Sequence, residues 1–215
     1  GYPNLKFNFK RLKEYCLRLT KNSEVIILSG SLPSLFPPQT YALLIKEFHK
    51  AGKFTVLDAS GEALLQGIKE KPAIIKPNKT EFMEICAEFF AHKVKKDFKR
   101  NLCAIGQNHE VVIVSEGKRG AYFMKGNLLL HAVPPPVDVV DTTGAGDTLL
   151  GQFCCDYFPS RILSKEVAAR AVAAGSVAVG LKSTPVPPVN KIKALSRSVK
   201  VDACKTENIL NSRSS

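Results

Sequence analysis

With 215 residues, 45% of them hydrophobic and 23% charged, the chain is long enough to bury one sizeable core. No apolar run approaches the roughly 20 residues a membrane helix needs, and Gly1 to Lys10 lacks a signal-peptide pattern, so a membrane protein is not expected and a cytoplasmic one is. The net charge of +12 leaves two classes of partner open, nucleic acid and anionic small molecules.

Phe9, Leu12, Cys16 and Leu19 recur at helical spacing, so a helix opens the chain. Such an abrupt start, at Gly1 rather than Met, is expected of a fragment, a processed product or a truncated reading frame. Val25 to Leu28 reads as a strand, followed by a loop from Ser29 to Pro38 and a helix with Tyr41, Leu44, Ile45 and Phe48 on one face. Gly52 stands where a left-handed residue would end that helix. Phe54 to Leu57 and Ala73 to Ile75 read as buried strands that end at Asp58 and Lys76. A helix around Glu81 to Phe90 comes next, then a basic one reaching Leu102 that carries Lys93, Lys95, Lys96, Lys99 and Arg100. Phe98 is the only aromatic residue in that run. A solvated helix face is therefore preferred to a nucleic-acid surface, which adds aromatic platforms or a groove-reading motif.

Val111 to Val114 reads as a fourth strand, and Gly120 to Met124 with Leu128 to Ala132 as a hairpin turning at Lys125-Gly126-Asn127. Pro134-Pro135-Pro136 forces an extended passage, and a glycine-rich segment then opens a helix running from Asp147 to Tyr157. The helix from Lys165 to Gly180 is rich in small residues, which permit close approach of a neighbour or a ligand. One more helix follows Pro188. The domain is expected to occupy residues 1–200, and residues 201–215 to be a polar, disordered tail. The six cysteines lack metal or disulfide spacing and read as free thiols, mostly buried.

Strands alternating with amphipathic helices predict parallel strands and crossover helices, an α/β sandwich. Ligands in such sheets bind outside the carboxyl ends of the strands. Here those ends are polar: Ser29-Gly30-Ser31, Asp58-Ala59-Ser60, Lys76-Pro77-Asn78 and Ser115-Glu116-Gly117. One such end is ordinarily just a turn, but four favour a site. Thr143-Gly144-Ala145-Gly146-Asp147 adds glycine amides at the positive end of a helix, a cradle for phosphate. Asp147 beside it either complements the helix dipole or serves as a general base for an attacking hydroxyl.

Asp141-Thr142-Thr143-Gly144-Ala145-Gly146-Asp147 resembles the C-terminal signature of the ribokinase-like sugar kinases, the phosphofructokinase B family. The resemblance implies a three-layer α/β sandwich around a mostly parallel sheet, an anion hole at Gly144, Ala145 and Gly146, and Asp147 as catalytic base. It implies ATP as phosphoryl donor and Mg²⁺. Ser29-Gly30-Ser31-Leu32-Pro33 is similar to the family's sugar-phosphate loop, which assigns Ser31 to the substrate phosphate. In Lys76-Pro77-Asn78-Lys79-Thr80-Glu81 the family pattern gives Lys76 and Asn78 to the nucleotide and Asn78 with Glu81 to the magnesium waters. As a structural feature, Asn78 and Glu81 equally make a capping box, and both can hold.

Ser115-Glu116-Gly117-Lys118-Arg119-Gly120 is similar to the nucleotide turn, with Ser115, Gly117 and Gly120 in contact, although Glu116 replaces an apolar residue and is expected to point to solvent. Val172-Ala173-Ala174-Gly175-Ser176 resembles the adenine-side helix, with Val172 and Ser176 facing the base; a tightly packed helix is the alternative. Potassium binding in some members would involve Asp141 and Thr143. Ser-Gly-Ser-Leu-Pro, Ser-Gly-Glu-Ala-Leu (residues 60–64), Lys-Pro-Asn and the proline run most resemble the 6-phosphofructokinase branch, with 1-phosphofructokinase and tagatose-6-phosphate kinase as rivals. The partners implied are a phosphosugar and ATP, not nucleic acid or membrane. The family's N-terminal third and β lid are absent from this sequence. The chain is therefore expected to expose a strand edge and to form a homodimer or to depend on that missing segment.

Overall fold

In the first half, short apolar strands return to the same sheet through helices that each bury one face. The computed structural model describes residues 7–90, 97–182 and 186–211. The chain divides into two compact units, Gly1–Val94 with Asn108–Glu110, and Lys95–Gln107 with Val111–Ser215.

The first unit contains α1 (Phe9–Leu19), β1 (Val25–Ser29), α2 (Thr40–Lys50), β2 (Phe54–Asp58), α3 (Gly61–Lys69), β3 (Ile74–Ile75) and α4 (Lys79–Phe90). Asn8 caps α1 by accepting from the Arg11 amide at 3.1 Å, satisfying a donor that the helix itself leaves over. The expected stripe of α2 is buried: Tyr41, Leu44, Ile45 and Phe48. β1 and β2 pair in parallel with Ser29 opposite Asp58, and β2 and β3 in parallel with Leu57 opposite Ile75. That register places three strand ends along one edge, as the alternating pattern predicts. The helix α3 was not foreseen; its signal is Glu62 in the first turn and the buried Leu64 and Ile68 at helical spacing. Ile27, in β1, is 44% exposed.

The second unit contains α5 (Phe98–Gly106), β4 (Val111–Ser115), β5 (Ala121–Lys125), β6 (Leu128–Val133), α6 (Ala145–Tyr157), α7 (Lys165–Val179), α8 (Val189–Ser196), β7 (Lys200–Lys205) and α9 (Thr206–Asn211). β4 to β7 pair antiparallel in chain order, so the predicted hairpin is the centre of a four-stranded meander. Phe123, Phe153 and Tyr157 stack successively in its core, with centroids 5.5 and 5.1 Å apart.

The structure corrects the expected disordered tail. Residues 200–205 form β7 against β6, and the following helix α9 accepts a hydrogen bond from Arg100 Nε at the Ile209 carbonyl, 3.3 Å away. Polarity hid this element because β7 exposes most of its side chains and is held by its backbone. Arg100 is accordingly tied down and also pairs with Asp97 at 3.6 Å, unlike a merely solvated basic residue. Lys93, Lys95 and Lys96 lie outside the described residues. Three cysteines, Cys86, Cys103 and Cys154, are buried; burial pushes the Cys154 thiol up to about 12. Among the described residues no helix is long and apolar enough to cross a membrane.

Candidate active site

In the second unit the segment leading into α6 is anchored by its backbone. The amides of Val140 and Asp141 both donate to the Val179 carbonyl, at 2.7 and 3.1 Å. Asp141 Oδ1 then accepts from the Thr143 amide at 2.8 Å, closing a tight turn. Hydrogen bonds from that amide and from the Thr143 side chain hold the Asp141 carboxyl below its usual range. Gly144 follows at φ 73°, ψ 1°, a left-handed conformation that turns the chain into the helix without a side-chain cap. The Thr148 amide donates to the Gly144 carbonyl at 2.9 Å, and the Thr148 hydroxyl donates to the same oxygen at 2.8 Å.

Gly146 and Asp147 stand in the first helical turn, at the positive end of the helix dipole. Ala145 was expected to join them in the anion hole. Its amide instead turns back to the Thr142 carbonyl at 3.3 Å. Asp147 is exposed in this first turn.

The small residues of α7 serve close approach to this turn. A Cβ on Gly175 would lie 3.0 Å from the Ala145 carbonyl and 3.3 Å from Leu149 Cβ, so α7 sits directly against the start of α6. Ser176, half-buried, lines an open cleft of about 690 Å³ with Pro136, Asp138, Gly180, Lys191 and Leu195. Val172, expected to face the same space, is buried at 3% exposure one turn earlier, where its carbonyl accepts the Ser176 hydroxyl at 2.9 Å.

After β4 the chain turns through residues 116–120, with the Glu116 amide donating to the Gly120 carbonyl at 2.8 Å and the Gly120 amide to the Gly117 carbonyl at 2.9 Å. A Cβ on Gly120 would lie 1.8 Å from the Ala132 carbonyl, so this position, at φ 81°, admits only glycine. The Glu116 side chain, expected in solvent, is only 3% exposed and lies 3.8 Å from the Arg119 guanidinium. The turn folds it back beneath Arg119.

In the first unit Ser31 is exposed just beyond β1, and the loop behind it is bonded to its neighbours. The Gly30 amide donates to the Asp58 carbonyl at 2.9 Å. Lys76 Nζ lies 3.0 Å from Asp58 Oδ1, with the two side chains 7% and 15% exposed. Lys76, assigned by resemblance to the nucleotide, thus neutralises a carboxylate at the adjacent strand end. The capping box is present: the Asn78 amide donates to Glu81 Oε2 at 2.8 Å and the Glu81 amide to Asn78 Oδ1 at 3.0 Å. Among the described residues no three His, Cys, Asp or Glu side chains group as a metal cage. The Glu81 oxygen and Asn78 amide nitrogen left outside these two bonds suit water-mediated contact with a hydrated Mg²⁺ better than direct ligation.

Residues 1–190 match the family described as pfkB family carbohydrate kinase. The chain belongs to this family. Among curated pfkB relatives, it is 33% identical to 1-phosphofructokinase of Vibrio cholerae over 76% of this chain and 53% of the relative. It is 34% identical to tagatose-6-phosphate kinase of Staphylococcus epidermidis over 65% of this chain and 46% of the relative. The chain spans about half the length of these relatives. The structure of phosphofructokinase-2 from Escherichia coli in complex with substrates and products superposes with a TM-score of 0.76 at 26% identity, covering 88% of this chain and 61% of that one. The fold is thus the α/β fold of these ribokinase-like pfkB kinases.

The parallel register of the first unit brings Ser29, Asp58 and Lys76 to one edge, and in the second α7 packs at Gly175 against the start of α6 that carries Gly146 and Asp147. Sequence reasoning overlooked Tyr41 as anything but core. Its hydroxyl lies 3.2 Å from the Ser29 carbonyl and 3.1 Å from that of Gly30. A tyrosine rather than phenylalanine on an otherwise apolar stripe was the available signal.

Proposed function

We propose that this chain carries ATP-dependent phosphoryl transfer to a hydroxyl of a ketohexose phosphate. The observation that carries this reading is the α6 start: a left-handed Gly144, first-turn amides, and Asp147 beside them, in a chain of the pfkB family. Asp147 would accept the proton of the attacking hydroxyl, while the Gly146 amide and the helix N-terminus stabilise charge on the transferring group. Gly144 shapes the cradle through its conformation. The cleft at Ser176 would take the base of ATP, and Ser115, Gly117 and Gly120 would pass its phosphates along the turn after β4. Mg²⁺ neutralises charge across the donor phosphates when bound, and Asn78 with Glu81 would hold its waters. Asp141 and Thr143 would flank a potassium ion.

Ser31 would bind the phosphate already on the sugar. Fructose 6-phosphate is the acceptor that the sequence motifs suggest. The names of the relatives at 33% and 34% identity favour the acceptors of 1-phosphofructokinase and tagatose-6-phosphate kinase. All three sugars belong in the assay. The same reading puts the protein in the cytoplasm, acting as a homodimer or together with an N-terminal segment.

The test is Asp147→Asn, which keeps size and helix start but cannot take a proton. Turnover of the preferred sugar phosphate should fall about 1,000-fold, within the range of general-base loss, with ATP binding retained. Undiminished turnover would overturn the assignment. The alternative reading is a catalytically silent nucleotide-binding chain. Calorimetric ATP binding without turnover of any of the three sugars would establish it instead.

A further inference from the structure

The loop assigned to the acceptor phosphate is fixed by a residue that no motif singles out. Tyr41 lies in the first turn of α2 and is 8% exposed. Its hydroxyl donates to the carbonyls of Ser29 and Gly30, at 3.2 and 3.1 Å, so one proton is shared between two acceptors. From the other side, the Gly30 amide donates to the Asp58 carbonyl at 2.9 Å. Both peptide planes around Gly30, which sits at φ 93°, are therefore tied to neighbouring elements.

A trans peptide points its C=O and N–H in opposite directions. With the Gly30 carbonyl drawn inward to Tyr41, the amide of Ser31 is turned outward, and Ser31 itself is exposed. An outward amide and hydroxyl on one residue form a donor pair suited to a phosphate dianion. We infer that Tyr41 is a positioning residue: its hydroxyl aims the Ser31 donors at the phosphate of the acceptor sugar. This rests on the reading of Ser31 given above. Burial first, and then the Asp58 carboxylate, push the Tyr41 phenol above its usual range, so the donor proton is kept.

Tyr41→Phe removes that donor and keeps the buried ring. Binding of fructose 6-phosphate, fructose 1-phosphate, tagatose 6-phosphate and ATP to the 215-residue chain is measured for wild type, Tyr41→Phe, Ser31→Ala and the double variant, with the Ser31 amide resonance followed by NMR. Tyr41→Phe should weaken the preferred sugar phosphate about tenfold, as expected for one lost hydrogen bond to a charged-ligand loop. It should shift the Ser31 amide in the free protein and leave ATP affinity in place, and the double variant should bind no worse than Ser31→Ala. If Ser31→Ala weakens binding and Tyr41→Phe does not, or if Tyr41→Phe weakens ATP equally, the positioning role is overturned while Ser31 keeps its assignment. If Ser31→Ala binds like wild type, or wild type binds none of the sugars, the phosphate-loop reading is itself overturned and the role of Tyr41 with it.

Discussion

In the first unit the ends of β2 and β3 are tied by side chains, Asp58 against Lys76 and Asn78 against Glu81, whereas in the second the turn after β4 and the start of α6 rest mainly on backbone, with the Asp141 carboxylate and the Thr148 hydroxyl as the side-chain contributions. The difference shows in which residues could be replaced. A backbone-built site tolerates no added atom where chains cross. A site built from side chains depends on every partner remaining present. Gly120 and Lys76 are the two extremes, and substitution at each tests the contrast.

The largest effect is expected at Gly120. Alanine there would place Cβ 1.8 Å from the Ala132 carbonyl, backbone of strand β6 that is paired on both sides and cannot rotate away. Combined with φ 81°, this should cost about 4 kcal/mol, the scale of severe single substitutions. The urea midpoint measures it. A variant with the wild-type midpoint would show that the second unit is not held by close backbone approach. Lys76→Met comes next: removing the cation 3.0 Å from a mostly buried Asp58 should cost about 3 kcal/mol. Asp58→Leu with Lys76→Met should recover most of that loss, since replacing both members avoids leaving one charge behind. If the double variant is as unstable as Lys76→Met alone, Asp58 matters for more than its pairing.

The same contrast explains what could be read from the sequence. A glycine-rich segment ahead of a helix points to tight backbone, so the turn at Gly144 into α6 was legible, as were the strands and helices whose apolar residues repeat regularly. The Asp58–Lys76 pair was not, because it depends on the parallel register of β2 and β3 and not on any local pattern. Tyr41 was assigned to the core by its spacing, correctly for its ring, but periodicity says nothing about where a hydroxyl lands. The sequence could not show that the turn would fold Glu116 inward, and the backbone pairing of β7 left no apolar signature.

The smallest expected effect discriminates most finely, because it separates the shape of the cradle from its contents. Gly144 at φ 73°, ψ 1° occupies the left-handed region, where a Cβ on an ordinary residue costs about 1 kcal/mol and asparagine pays less through local hydrogen bonding. Gly144→Ala should therefore lower the urea midpoint measurably, and Gly144→Asn by less. If the conformation of Gly144 is what aims the first-turn amides, Gly144→Asn should also retain more turnover than Gly144→Ala. Equal losses of stability and activity in the two variants would mean that added bulk, and not left-handed backbone, is what the position excludes. The second unit would then be packed as tightly at α6 as it is at Gly120, and its cradle would owe its form to steric closure instead of torsion.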